Sequence, residues 1–181
     1  MTNDAFIDFE TLSLHEDAAI MQVALVSFDM DDEMVELNPY YSTFVSPVGQ
    51  DRRIDSDTLK WWLQQPGFND LRKNILLGVS LHSVAVGLSD FISDHNIGRI
   101  WSQGSKDAEW FTSVFKQANI LNPIMYRNFR DARTVIQLAG GWNMEVEDYG
   151  NKHDAYSDCI VCIRQLQRAI NHLNTKGVEL V

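Results

Sequence analysis

The chain has 181 residues, enough for one well-buried domain and short for two. Its hydrophobic fraction of 45% and charged fraction of 22% are those of an ordinary soluble globular protein. A formal net charge of -10 argues against a protein that coats nucleic acid through a broad basic surface, but not against an enzyme whose clustered acids hold metal.

Phe6-Ile7-Asp8-Phe9-Glu10-Thr11 reads as a strand in which two carboxylates interrupt an apolar run. Residues two apart in a strand share a face, so Asp8 and Glu10 project together while Ile7 and Phe9 face the other way. Like charges side by side repel, and a hard divalent cation between them relieves the repulsion. Ile20–Phe28 and Tyr40–Val45 are further β-branched or aromatic runs, closed by loop chemistry at Ser46-Pro47-Val48-Gly49. Helical spacing follows over Ser56–Gln65, stopped by Pro66-Gly67, and from about Ser83 to His95. Arg99–Ser102 is a short strand before Gly104, and Asp107–Asn119 is a helix with Trp110, Phe111, Val114 and Phe115 on its apolar stripe. Ile124–Tyr126 reads as another strand, Ala132–Leu138 as a short helix, and Asp154–Leu173 as a long final helix. Early strands followed by alternating strands and helices predict an α/β architecture, a mixed sheet with helices on its faces, in one domain spanning 1–181.

The two cysteines, Cys159 and Cys162, fall three apart in that final helix, where a buried thiol pair is expected rather than a disulfide. No apolar run approaches the roughly 20 residues of a membrane span, and no basic segment precedes an apolar signal core. The expected setting is therefore the cytoplasm, with no membrane partner.

Two later acids stand out by context. Asp107 follows Trp101-Ser102-Gln103-Gly104-Ser105-Lys106, where a strand gives way to a helix, and strand ends of α/β sheets are where sites form. Asp158 lies one turn into the last helix, five residues after His153. Each has a plainer reading, Asp107 as a helix cap and Asp158 as a solvated residue behind a cap at Asp154.

The ordered set Asp8-x-Glu10, Asp107, His153-x4-Asp158, with Trp61-Trp62 and Phe129-Arg130-Asp131-Ala132-Arg133-Thr134 between, resembles the DEDDh branch of the DnaQ-like 3′→5′ exonucleases, of ribonuclease H-like fold. Within that branch it is most similar to the exonucleases like that of phage T4 and the ribonuclease T-like 3′ exoribonucleases. The resemblance implies that Asp8, Glu10, Asp107 and Asp158 hold two Mg²⁺ or Mn²⁺ ions and that His153 is the general base. An imidazole with an ordinary pKa of about 6.5 suits that task, and two ions stabilise both the attacking and departing oxygens of a phosphodiester. It implies a substrate of single-stranded DNA or RNA 3′ ends, with Phe9, Thr11 and Leu12 against the terminal nucleotide and Trp61 and Trp62 partly core, partly cleft wall. Dimers recur among such enzymes, which leaves a homodimer open. Relatives often carry an aromatic residue before the third aspartate; here Lys106 stands there, as a candidate phosphate contact, and Glu109 is the fallback carboxylate. Arg127, Arg130 and Arg133 either neutralise phosphates or pair with Asp131 and Glu145. A hydrolase of short oligonucleotides and a catalytically silent partner module are the rival functions.

Overall fold

A computed structural model describes residues 3–31, 34–141 and 146–177. Among these residues five strands form one mixed sheet in the order β3-β2-β1-β4-β5: β1 Asn3–Thr11, β2 Ile20–Phe28, β3 Tyr40–Phe44, β4 Ile97–Ser102 and β5 Phe129–Asp131. β1, β2 and β3 pair antiparallel, whereas β4 and β5 run parallel to β1. Among the described residues six α-helices are interleaved with the later strands: α1 Ser56–Trp62, α2 Phe68–Ile75, α3 Leu81–Asp94, α4 Lys106–Ala118, α5 Ala132–Leu138 and α6 Ala155–Thr175.

Strand alternation divides the core. Ala5, Ile7 and Phe9 of β1 face α3 and α4, where they join Val84, Leu88, Phe111 and Phe115. Phe6 faces the other way, with Ala24 and Val26, onto Cys159, Ile160, Ile163 and Leu166 of α6. Asp8 and Glu10 therefore emerge on the α6 side at the carboxyl end of β1. A smaller cluster of Leu12, Ala19, Met21, Trp62, Leu71 and Ile75 seats α1 and α2 against that same end. Both cysteines are free and buried. None of the described helices is long and apolar enough to cross a membrane.

Two segments differ from the sequence pattern. The strand expected at Ile124–Tyr126 lies five residues later, at Phe129–Asp131. Ile124 is buried, but Tyr126 is 89% exposed and Tyr126–Asn128 forms a tight 3₁₀ turn, so the apolar triplet contains one core anchor rather than a ladder. The helix expected through Gln65 ends at Trp62, and α2 follows beyond Gly67. Phe68, Leu71 and Ile75 sit at helical spacing, with Asp70 in the first turn and Arg72 and Lys73 in the last, complementing the helix dipole.

Candidate active site

Four carboxylates converge at the carboxyl end of β1. Glu10 is 8% exposed and Asp107 6%, and Asp8 and Asp158 are half-buried. Glu10, His153 and Asp158 each offer a ligand atom, and these atoms lie within 4.8 Å of one another. Asp107 reaches the group through the main chain: its Oδ1 accepts a hydrogen bond from the Phe9 N–H at 3.1 Å, between the two β1 carboxylates. β1 is irregular just after Glu10, where its register with β2 shifts. Such bulges re-aim side chains beside active sites.

Burial and mutual repulsion make the cluster costly when it is ionised. The Asp8 carboxyl is raised well above its ordinary range, first by burial and then by Asp107, Glu10, Asp158 and Asp154. Glu10 is raised by burial, then by Asp158, Asp107 and Asp154. Asp107 is pushed up to about 7 by burial, against the Phe9 N–H, its own N–H and the positive field of Arg133. Asp158 is raised by burial, partly offset by His153 and Lys152. Oxygen donors held this way match the preference of a hard divalent ion, which replaces the lost protons with positive charge.

His153 stands immediately before the α6 cap. Asp154 is the cap, its Oδ1 accepting from the Ser157 N–H and hydroxyl at 3.0 and 2.8 Å. This leaves His153 at φ +62, a left-handed conformation that histidine tolerates better than most residues. Gln22 fixes the start of the helix from below. It is 2% exposed and lies opposite Glu10 across the β1–β2 ladder; its Nε2 donates to Asp154 Oδ2 at 2.8 Å, and its Oε1 accepts from the Ala155 N–H at 3.3 Å. The imidazole stands edge-on to Trp61 and Trp62, with centroids 4.8 and 5.9 Å away.

Beside the carboxylates a cavity of about 470 Å³ is lined by Phe9, Glu10, Thr11, Leu14, Asp57, Thr58, Trp61, Trp62 and Trp110. Phe9 meets Trp110 edge to face at 6.4 Å. Its aromatic walls and single deep carboxylate suit a nucleoside.

Residues 3–170 match the family described as the 3'-5' exoribonuclease Rv2179c-like domain. The chain belongs to that family. It is accordingly a 3′–5′ exonuclease of the DnaQ-like kind. The exodeoxyribonuclease of Enterobacteria phage T4 is 29% identical, aligned over 74% of this exonuclease and 70% of the phage protein. Among solved structures, the nuclease domain of 3'hExo, a DEDDh family member bound to rAMP, covers 99% of the chain and 94% of its own at a TM-score of 0.62 and 12% identity. S. pombe Pop2p in its Mg²⁺ and Mn²⁺ bound form covers 97% and 85% at 0.67 and 12%. Exonuclease I covers 97% of this chain but 44% of its own, at 0.66 and 13%. At such identities the likeness is one of fold, here the ribonuclease H-like fold.

The remaining candidates divide by position. The tryptophan pair separates into roles: Trp62 is 2% exposed and donates from Nε1 to the Thr11 carbonyl at 2.9 Å, whereas Trp61 is 41% exposed on the cavity wall. Leu12 does not reach the cavity; it is 5% exposed in the α1–α2 cluster, and Leu14, 67% exposed, lines the cavity instead. The strand end turns Leu12 inward to cover Ala19 and Met21. Lys106 does not point at the carboxylates either. Its Nζ pairs with Glu109 at 2.6 Å, so the fallback carboxylate Glu109 is engaged with a half-exposed lysine of its own helix. Arg133 donates to the Gln103 carbonyl at 3.0 Å, and Arg130 to the Arg127 and Phe129 carbonyls. Glu145, the pairing alternative for these arginines, lies outside the described residues. The sequence pattern gives Gln22 and Leu14 no part in a site and Trp110 only a place on the apolar stripe of its helix. The signal for Gln22 was a glutamine inside an otherwise buried apolar strand, which must find hydrogen-bond partners.

Proposed function

We propose that the enzyme removes nucleoside 5′-monophosphates from the 3′ ends of single-stranded DNA or RNA, with Asp8, Glu10, Asp107 and Asp158 holding two Mg²⁺ or Mn²⁺ ions and His153 as general base. The observation that carries the reading is the convergence of four buried or half-buried, proton-hungry carboxylates and one histidine beside an aromatic cavity of about 470 Å³. When bound, the ions supply charge stabilisation to the attacking and departing oxygens. The chain does the rest. The cavity takes the terminal nucleoside between Phe9, Trp61 and Trp110, and excludes water from one side of the scissile bond. The half-buried His153, whose loop is anchored by Asp154 and Gln22, takes the proton of the attacking water. The phosphate leaves with the terminal nucleoside as a 5′-monophosphate, and the shortened strand keeps a 3′ hydroxyl.

The family is named for an exoribonuclease and the phage T4 relative is an exodeoxyribonuclease, so the test compares RNA and DNA. Single-stranded DNA, single-stranded RNA and duplex, each labelled at its 5′ end, are followed in time with Mg²⁺ and with EDTA. Stepwise shortening from the 3′ end of single strands, abolished by EDTA, is expected. Cleavage of dinucleotides with long strands left intact would replace this reading with a short-oligonucleotide hydrolase, and intact ends throughout would leave a binding module.

A further inference from the structure

We infer that Arg133 binds the phosphate one nucleotide upstream of the scissile bond, so that the enzyme grips a strand on both sides of its carboxylate cluster. The inference rests on the exonuclease reading above and adds the path of the uncleaved strand.

Strand order sets the geometry. The nucleoside cavity is built from the end of β1, from α1 and from Trp110, with Trp62 packed toward β2. The carboxylates come next, on β1 and on α4 after β4. Beyond them, across β4, comes β5 and then α5, whose second residue is Arg133. With the 3′ nucleoside on one flank and the scissile phosphate at the carboxylates, the upstream strand exits over the other flank.

Arg133 is positioned there as a donor with spare capacity. Its Nη2 donates to the Gln103 carbonyl at 3.0 Å, and its guanidinium lies against Gly104, where a Cβ would stand 3.6 to 3.7 Å from Cζ and both terminal nitrogens. Gly104 has φ +106, so this backbone belongs to glycine and the close seat follows from it. Gln103 and Gly104 lead directly into α4 and Asp107. The nearest acid in sequence, Asp131, is engaged elsewhere: its Oδ1 accepts from the Arg133 main-chain N–H at 3.0 Å and its Oδ2 from the Thr134 hydroxyl at 2.7 Å. The Arg133 side chain is exposed and forms no ion pair among the described residues. A cation whose field reaches a buried carboxylate would ordinarily collapse onto it. Tethered to a carbonyl instead, it influences Asp107 only through its field and keeps most of its five N–H donors for a phosphate, whose geometry the planar fork matches.

The test compares a dinucleotide carrying a 5′-phosphate with the same dinucleotide lacking it. Only the former has a phosphate upstream of the scissile bond. The wild-type enzyme is expected to favour the phosphorylated form in kcat/KM by roughly ten-fold, one charge-assisted contact, expressed mainly in KM. Arg133→Ala should reduce that preference to near unity, and Arg133→Lys should keep part of it. Because both substrates are read in one variant, any loss of folded enzyme cancels from the ratio. On longer single strands the slope of log KM against log salt should fall by about 0.7 in Arg133→Ala. A preference that survives in Arg133→Ala overturns the inference, as does its loss in Lys152→Ala instead. Absence of a preference in the wild type overturns it too, while the exonuclease reading stands. Failure to cleave any substrate defeats both.

Discussion

Asp107→Asn isolates the electrostatic cost of the site without any substrate. In the folded protein the Asp107 carboxyl is pushed from 3.8 up to about 7, mainly by burial. About three pKa units, at 1.36 kcal/mol each, correspond to roughly 4 kcal/mol opposing the folded state once the group is ionised in metal-free protein. The sign follows from linkage. Between pH of about 4 and about 7 the folded chain binds this proton and the unfolded chain does not, so the stability it confers at low pH is lost as pH rises through about 7. Asparagine retains Oδ1 as an acceptor for the Phe9 N–H, carries no charge and escapes that loss. Relaxation and water entry reduce the figure, so the variant should exceed wild type by about 2 to 4 kcal/mol at pH 8 in EDTA. At the usual 2 to 4 °C per kcal/mol for a chain of this size, Tm rises by roughly 4 to 16 °C. At pH 4 the two should melt together, and millimolar Mg²⁺ should reverse the order by stabilising wild type selectively. Thermal melts across pH 4 to 8, with EDTA or Mg²⁺, measure all of this. A variant no more stable than wild type at pH 8 in EDTA, or an advantage that does not depend on pH, refutes the argument.

Three further substitutions separate the roles assigned above. His153→Asn, chosen because asparagine also tolerates φ +62, should lower kcat by about 10²- to 10⁴-fold with little change in Tm; unchanged turnover removes His153 as the base. Trp61→Ala should raise KM on single strands by roughly 5- to 150-fold, the loss of one stacking surface, since Trp62 retains the core contact; an unchanged KM takes Trp61 out of the substrate path. Glu109→Gln removes only an exposed pair with Lys106, so activity and metal response should match wild type, and a loss comparable to Asp107→Asn would move the ligand to Glu109.

The elements most legible from sequence were those with long, regular periodicity. β2 is buried at all nine positions, and α6 alternates core and surface at helical spacing over 21 residues, so pattern and packing agree. β5 is not specified by pattern, because three residues are too few to set a period. Its assignment depends on the parallel ladder with β4, and Phe129 alone of its side chains enters the core. α2 is hidden for a related reason. Pro66-Gly67 is strong punctuation, and the eight residues behind it make sense as helix only once a floor of Leu12, Ala19 and Met21 exists for them to cover.

The carboxylates and His153 were visible because charge is conspicuous inside apolar strands and at helix starts, whereas the parts that orient them depend on neighbours across the sheet. Gln22 shows why. Its place opposite Glu10 follows from a β1–β2 register that also contains an irregularity one residue later, and no linear pattern specifies that register. Once it is set, one buried amide holds the Asp154 side chain and the Ala155 N–H together, 2.8 and 3.3 Å away. The sheet that carries Glu10 is thereby tied to the helix start that carries His153 and Asp158. A carboxylate at position 22 would face Asp154 as a like charge, and an apolar residue would leave Asp154 Oδ2 without this donor. Glutamine alone among residues of that length offers a donor and an acceptor and adds no charge to a cluster that already holds more negative charge than it can bear without cations.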